Sequence, residues 1–224
     1  MKNSYRIIYL IFFLLCFLIN LNRVYAKDII IDAEVVDILQ KGNLIEASGT
    51  VSIKDGENIE IKGDKASYNK SSNIVEISGN VFFYDKVRNF KASSDKINFD
   101  RENNLISSYG NTLFSFSNEN DSNVILNIKG ENSFFNQNKK ILEIKGNVLL
   151  NDYQNNSTIS TEHLVYFKES ETIKSFDDTE IKYNNDFIIQ TKDVSLEKNQ
   201  KKFFSEKKTL ITDKFKNRFT LSSF

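Results

Sequence analysis

The chain has 224 residues with 30 basic and 30 acidic side chains, which is one domain's worth of chain or a short array of repeats. Its formal charge of zero excludes a polybasic nucleic-acid binder and a polyacidic tail. The first 26 residues hold Lys2, Arg6 and Arg23 and no acid, so removing them leaves 27 basic against 30 acidic side chains, a net charge of −3. Phe (19) and Tyr (9) are plentiful and Pro is absent, so nothing in the composition interrupts a run of strand and turn.

In chain order, Lys2 and Arg6 precede a mostly apolar run from Ile7 to Ile19, followed by Asn20, Asn22 and then Val24-Tyr25-Ala26. A basic head, an apolar stretch and a small-x-small end predict a secretory signal peptide, residues 1–26, cut after Ala26. The run is shorter than the roughly 20 apolar residues a spanning helix needs. Cleavage removes the one Cys and the one Met. The mature segment, residues 27–224, is therefore read as one exported domain held by packing and backbone pairing without disulfides.

That segment repeats itself. Gly49-Thr50-Val51, Gly79-Asn80-Val81, Gly110-Asn111-Thr112 and Gly146-Asn147-Val148 are followed by echoes at Asp178-Thr179-Glu180 and Lys208-Thr209-Leu210, at spacings of 30, 31, 36, 32 and 30 residues. An acid precedes each of the last five by 15 or 16 residues (Asp64, Asp95, Glu131, Glu162, Asp193), and Asp32 precedes the first by 17. Four residues past the acid stands an aromatic: Tyr68, Phe99, Phe135 and Tyr166. Within a unit the period is two, the mark of strand. Leu142, Ile144, Gly146, Val148 and Leu150 share one face, and Glu143, Lys145 and Asn147 the other. This parity puts the glycine on the apolar face, where glycine marks a bend, and glycines stacked from unit to unit suggest a shared crease. The acids read as turn or strand-start residues. Polar turns fall at residues 69–73, 100–104, 136–140 and 152–157. Strand Ile29 to Val36 opens the stack and strand Arg218 to Phe224 ends it. Both edges look open, so a partner would complete the last one, or the chain would be the front of a longer protein.

An acid, an aromatic four residues on, a polar turn and then apolar-x-Gly-Asn-Val resembles the OstA-like domain family. Asp64 to Tyr68 with Ile74 to Val81, and again Glu131 to Leu150, carry the likeness. The family includes the lipopolysaccharide bridge protein LptA and the periplasmic N-terminal part of the outer-membrane translocon LptD. Asp178 and Lys208 depart from its pattern, because they stand where it has glycine. The resemblance implies an all-β, elongated antiparallel β-jellyroll built of ~30-residue units and folded as an open V-shaped groove. It further implies a non-enzymatic component of lipopolysaccharide transport and assembly in the periplasm, associated with the outer membrane. Lipid acyl chains would ride against Ile77, Val81, Phe83, Phe99, Phe135, Ile144, Val148 and Tyr166. Homologous domains of LptA, LptC or LptD type would join edge to edge, and the abrupt last strand favours the translocon front.

Nothing else in the chain proposes chemistry. His163 has no Ser or Asp constellation with it, and one His with scattered carboxylates is a poor start for a metal site. Asp100 to Leu105 lacks the Gly and Glu of a calcium loop, and phosphate-cradling glycine loops are absent. No catalytic residue, metal, cofactor or nucleic acid is therefore expected. Two alternatives compete. A small outer-membrane β-barrel could be drawn from about eight strands, but Arg218, Thr220 and Ser222 break its lipid-facing alternation and Glu143 and Lys145 would face lipid. An exported structural repeat is the other.

Overall fold

The computed structural model describes residues 29–117 and 123–222. The leader read at residues 1–26 lies outside the described residues, as does Phe224. Seventeen strands follow in chain order: β1 (Ile29–Asp32), β2 (Val35–Leu39), β3 (Leu44–Asp55), β4 (Ile59–Asn69), β5 (Ile74–Asp85), β6 (Phe90–Asp100), β7 (Leu105–Ser117), β8 (Val124–Asn136), β9 (Ile141–Asp152), β10 (Ser157–Phe167), β11 (Thr172–Phe176), β12 (Asp178–Tyr183), β13 (Phe187–Lys192), β14 (Ser195–Glu197), β15 (Lys202–Phe204), β16 (Thr209–Asp213) and β17 (Arg218–Leu221). The helical content of the described residues is two three-residue 3-10 turns, Gln40–Gly42 and Lys198–Gln200. The all-β reading holds.

Every pairing is antiparallel, and β3 to β10 each pair with the next strand in the chain. Four-residue turns join them at one margin, and an Asx side chain at the strand end takes the third backbone N–H beyond it. Asn69 accepts from Ser72 at 3.1 Å and Asp100 from Asn103 at 3.0 Å. The last turn residue is left-handed, as at Asn73 (φ 55°) and Asn104 (φ 54°), a conformation asparagine tolerates. At each end the sheet forks. β1 and β2 pair with the second and first halves of β3, and β11 and β12 pair with the second and first halves of β10. From there one branch runs β11–β14–β15 and the other β12–β13–β16–β17. Among the described strands no pairing joins β1 or β2 to β15 or β17. The sheet is therefore open and not a barrel.

The forks exist because each long strand is bent at its middle. The register slips by one residue between Ser48 and Val51, Ser78 and Val81, Ser93 and Lys96, and at the equivalent place in every later long pair. At the slip the odd strands carry two successive left-handed residues: Gly49 and Thr50 (φ 76° and 44°), Gly79 and Asn80 (80° and 49°), Gly110 and Asn111 (75° and 47°), Gly146 and Asn147 (81° and 47°). Such bulges turn a strand sharply. The single sheet thereby becomes two facing arms. One holds β2, β11, β14, β15 and the halves of β3–β10 next to them, and the other holds β1, β12, β13, β16, β17 and the remaining halves.

The apolar core lies between the arms. Rings on one arm stack, as Phe83 on Phe90 (5.7 Å, 13°) and Phe90 on Phe114 (6.0 Å, 18°). Across the arms they meet edge-on: Phe83 with Phe99 (81°), Phe90 with Phe135 (85°) and Phe116 with Tyr166 (67°). Both geometries are favourable for aromatic pairs, by about 0.5–1.5 kcal/mol beyond burial.

Three expectations are corrected. The opening strand read as Ile29 to Val36 is two strands, because the chain turns the corner at Ala33-Glu34 and passes from one arm to the other. The glycines do not sit on the apolar face: a Cβ on Gly79 would meet the exposed Asp64 carboxylate at 2.3 Å, on the outside of the bend. The acids are not at turns or strand starts but at the mid-strand bend itself. The same geometry reassigns two copies. Glu34, not Asp32, faces Gly49, and Asp177 (φ 73°), not Asp178, takes the left-handed place of the glycine in the fifth unit.

Candidate functional site

The bend is built by one repeated contact. The acid of one strand lies against the glycine of the next, and the residue after that glycine donates to it. Asn80 donates to Asp64 (3.1 Å), Asn111 to Asp95 (2.9 Å), Asn147 to Glu131 (2.8 Å) and Thr50 to Glu34 (3.3 Å). The row of carboxylates is thus the outer seam of the crease. Past β10 the crease continues as chain breaks, with the Asp177 N–H donating to Asp193 at 3.3 Å.

The inside of the crease follows a second rule, absent from the sequence reading. The even strands place a small residue there and the next strand fills the space it leaves. A Cβ on Gly63 would meet Ile77 Cγ1 at 2.7 Å, and one on Gly130 would meet Ile144 Cγ1 at the same distance. Where the small residue is a hydroxyl, its neighbours are hydroxyls too. Ser94 donates to Tyr109 and Gly110 carbonyls (2.8 and 3.0 Å), Thr112 donates to Ser108 (3.2 Å), and Ser108 pairs with Ser133. Thr161 donates to the Phe176 carbonyl (2.8 Å) and Thr179 to Ser175 (2.8 Å).

The eight residues read as groove lining all point between the arms. Ile77, Val81, Phe83, Phe99, Phe135, Ile144, Val148 and Tyr166 are each no more than 2% exposed. Tyr68, Phe99, Phe135 and Tyr166, the aromatic column, all belong to this interior. The space between the arms is filled by these side chains. Burial pushes the Tyr166 hydroxyl up from its ordinary value, and the charges of Glu171 and Asp152 add to the shift.

The margin opposite the crease is tied by polar side chains that cross from arm to arm. Arg101, after β6, donates through Nη2 and Nε to both carboxylate oxygens of Asp55 at the end of β3 (2.9 and 3.2 Å). Its Nη1 also donates to Tyr68 Oη (2.8 Å) and Asn73 Oδ1 (2.6 Å). Burial alone would lower the Arg101 pKa, but Asp55 and Tyr68 together raise it. Gln137, after β8, reaches Asp85 at the end of β5 (3.4 Å), and Lys198, after β14, stands 3.4 Å from Asp152 at the end of β9. Lys168, after β10, donates to the Arg88 carbonyl (2.6 Å) and lies 5.5 Å over the Phe116 ring. The sequence held the signal: Arg101, Gln137, Lys168 and Lys198 recur at 36, 31 and 30 residues, one place past each strand end.

His163 sits on the outer face of β10, stacked on Phe176 (4.6 Å) with Nε2 3.0 Å from Glu143 Oε1. Glu143 is also bonded to Lys145 (2.7 Å); that hydrogen bond first, then the Lys145 and His163 charges, holds its carboxyl below the ordinary value. Asp100 to Leu105 is a β-turn. Among the described residues no group of three His, Cys, Asp or Glu side chains is placed to hold a metal, and no helix is long and apolar enough to cross a membrane.

Together these features define a class: an open antiparallel sheet bent along a glycine–asparagine–carboxylate crease, with its two arms closed on an apolar interior. Residues 22–112 match the family described as OstA-like protein, and the Gly79 unit lies wholly within that stretch. The chain is also similar to the crystal structure of LptH from Pseudomonas aeruginosa, the LptA-homologous periplasmic component of that organism's lipopolysaccharide transport device. The identity is 12% and the TM-score 0.46, over 54% of this chain and 83% of that one. A comparison with curated proteins finds no match.

Proposed function

We propose that this chain is a non-enzymatic periplasmic component of lipopolysaccharide transport that receives lipid acyl chains between its two arms. The observation that carries the reading is the OstA-like match over residues 22–112, together with the continuation of the same crease contact through Gly146 and Asn147 beyond it. An apolar interior running from arm to arm supports it, since each CH₂ transferred out of water contributes about 0.8 kcal/mol. The interior is filled, so acyl chains would be accommodated by the arms parting along the tied margin, with Ile77, Val81, Phe83, Phe99, Phe135, Ile144, Val148 and Tyr166 as the contact surface. Strand edges at both ends supply docking sites for homologous domains, in which backbone hydrogen bonds provide affinity with little demand on sequence.

Photo-crosslinking tests the reading. A crosslinkable residue at Phe83 or Ile144 is expected to capture lipopolysaccharide and one at Glu143, on the outer face, is not. Equal capture at both parities, or none at either, would overturn it.

A further inference from the structure

The ties at the margin are not uniform. On the second arm the inward position at this margin is held, at successive odd strands, by Asp55, Asp85, Phe116 and Asp152, which the strand register sets level with one another. Three of the four present a buried carboxylate to the facing arm: Asp55 to Arg101, Asp85 to Gln137, Asp152 to Lys198. Arg101 reaches back from β6 to β3, and Gln137 from β8 to β5. The same step takes Lys168, after β10, to the end of β7, where the inward side chain is Phe116 and Ser117 follows it on the other parity. At that rung the ammonium is bonded to the Arg88 carbonyl, on the neighbouring turn of the second arm.

A cavity of about 620 Å³ opens at this rung, bordered by Val87, Arg88, Ser117, Ile125, Lys140 and Lys168. Its floor is Phe116, Phe135 and Tyr166, which belong to the aromatic core and touch one another across the arms at 5.4 and 6.1 Å. Its volume falls in the range of small-molecule sites, roughly 300–1,000 Å³. The rim carries three cations and the acids Glu169 and Glu171; Arg88 is paired with the buried Asp85 at 2.8 Å, and Lys140 lies 3.5 Å from Glu169. An apolar floor under a rim that carries exchangeable ion pairs suits an acyl chain attached to an anionic group.

We propose that this rung is the portal through which an acyl chain of an anionic lipid first passes from the margin into the interior. The inference rests on the lipid-carrying reading above. At the other three rungs the approach is blocked by a buried carboxylate, which repels an anionic headgroup and would lose its own hydrogen bonds if displaced. At this rung the column holds Phe116, and no such carboxylate stands in the way. An aliphatic chain displacing the edge contact of Phe116 with Tyr166 exchanges one apolar neighbour for another. The solvent-facing Lys140 meanwhile exchanges its Glu169 carboxylate for the headgroup.

The test is Ser117→Asp, which sets a carboxylate at the mouth of this cavity, against Ser93→Asp, which adds the same charge on the outer face of β6. The probe is a fluorescent sixteen-carbon fatty acid, with purified lipopolysaccharide as a second arm and inorganic phosphate as a competitor. Ser117→Asp is expected to slow uptake of both lipids at least about tenfold, the factor set by roughly 1.4 kcal/mol, while Ser93→Asp and phosphate leave it unchanged. Thermal unfolding monitored alongside should show both variants folded. Uptake by Ser117→Asp at the unsubstituted rate would overturn the portal while leaving the carrier reading intact. Absence of lipid capture by the unsubstituted protein, at Phe83 and Ile144 as well, would instead overturn the carrier reading and the portal with it.

Discussion

At the scale of single residues, the crease depends on a glycine that no other residue can replace cheaply. Gly79 is left-handed (φ 80°) and its missing Cβ is the space occupied by Asp64. Gly79→Ala is therefore expected to cost the left-handed backbone penalty of roughly 1–2 kcal/mol plus a steric part. In an Asp64→Ala background only the backbone part should remain, so urea denaturation of the four proteins isolates the contact. Arg101 is a different case, because its guanidinium and Asp55 are both buried. Arg101→Met leaves a buried carboxylate without its charge partner and should cost about 3–5 kcal/mol, much of it recovered by Asp55→Leu in the same chain. Glu143, whose folded-state carboxyl is held below its ordinary value, gives the sign of the pH dependence. A lowered acid stabilises above its unfolded value, and that stability is lost as pH falls through the folded value. The group is partly exposed, so the effect belongs among surface ion pairs of roughly 0.2–1 kcal/mol. Glu143→Gln should therefore lower stability at neutral pH by that amount, leave stability at acid pH unchanged and slightly flatten the acid side of a stability–pH curve.

At the scale of elements, most of the sheet was legible because strand alternation, turn residues and the glycine repeat agree with one another. The resemblance places Phe99, Phe135 and Tyr166 inward, and Tyr68, at the same offset from its acid, proves to be inward too. The assignment of the glycine to the apolar side failed for a physical reason. Alternation counts residues as though each were extended, and two successive left-handed residues carry the odd strand through the corner with the glycine turned outward. On the even strands the corner instead reverses the parity: Ile59 and Ile61 face inward before it, and Ala66 and Tyr68 after it. The recurrence of Arg101, Gln137 and Lys198 is in the sequence, but their cross-arm partners were not legible, since each tie joins residues 46 or 52 apart and so skips the adjacent unit. The end strands carry the remaining prediction. β2 exposes Val35, Ile38 and Leu39, and β17 exposes Phe219 at 53%. Exposed apolar edge strands invite pairing. Light scattering is expected to show concentration-dependent association, or binding to a homologous domain, weakened by Ile38→Lys or Phe219→Lys because edge lysines oppose strand addition. A strict monomer that binds no such domain would refute edge pairing.

At the scale of the whole molecule, the two long margins of the interior are made of different materials. One is continuous backbone, folded over at Gly49, Gly79, Gly110 and Gly146. The other is a row of side chains, Arg101 with Asp55, Gln137 with Asp85 and Lys198 with Asp152. A closed barrel can be unsealed only by tearing a ladder of backbone hydrogen bonds, whose loss would propagate along two strands. Here the same interior can be laid bare by releasing a few discrete contacts, each contributing on the order of 1.5–3 kcal/mol, while all strand pairing stays intact. The crease then behaves as the spine of a book and the ties as clasps, so that access to the interior is set rung by rung and by side-chain substitution alone.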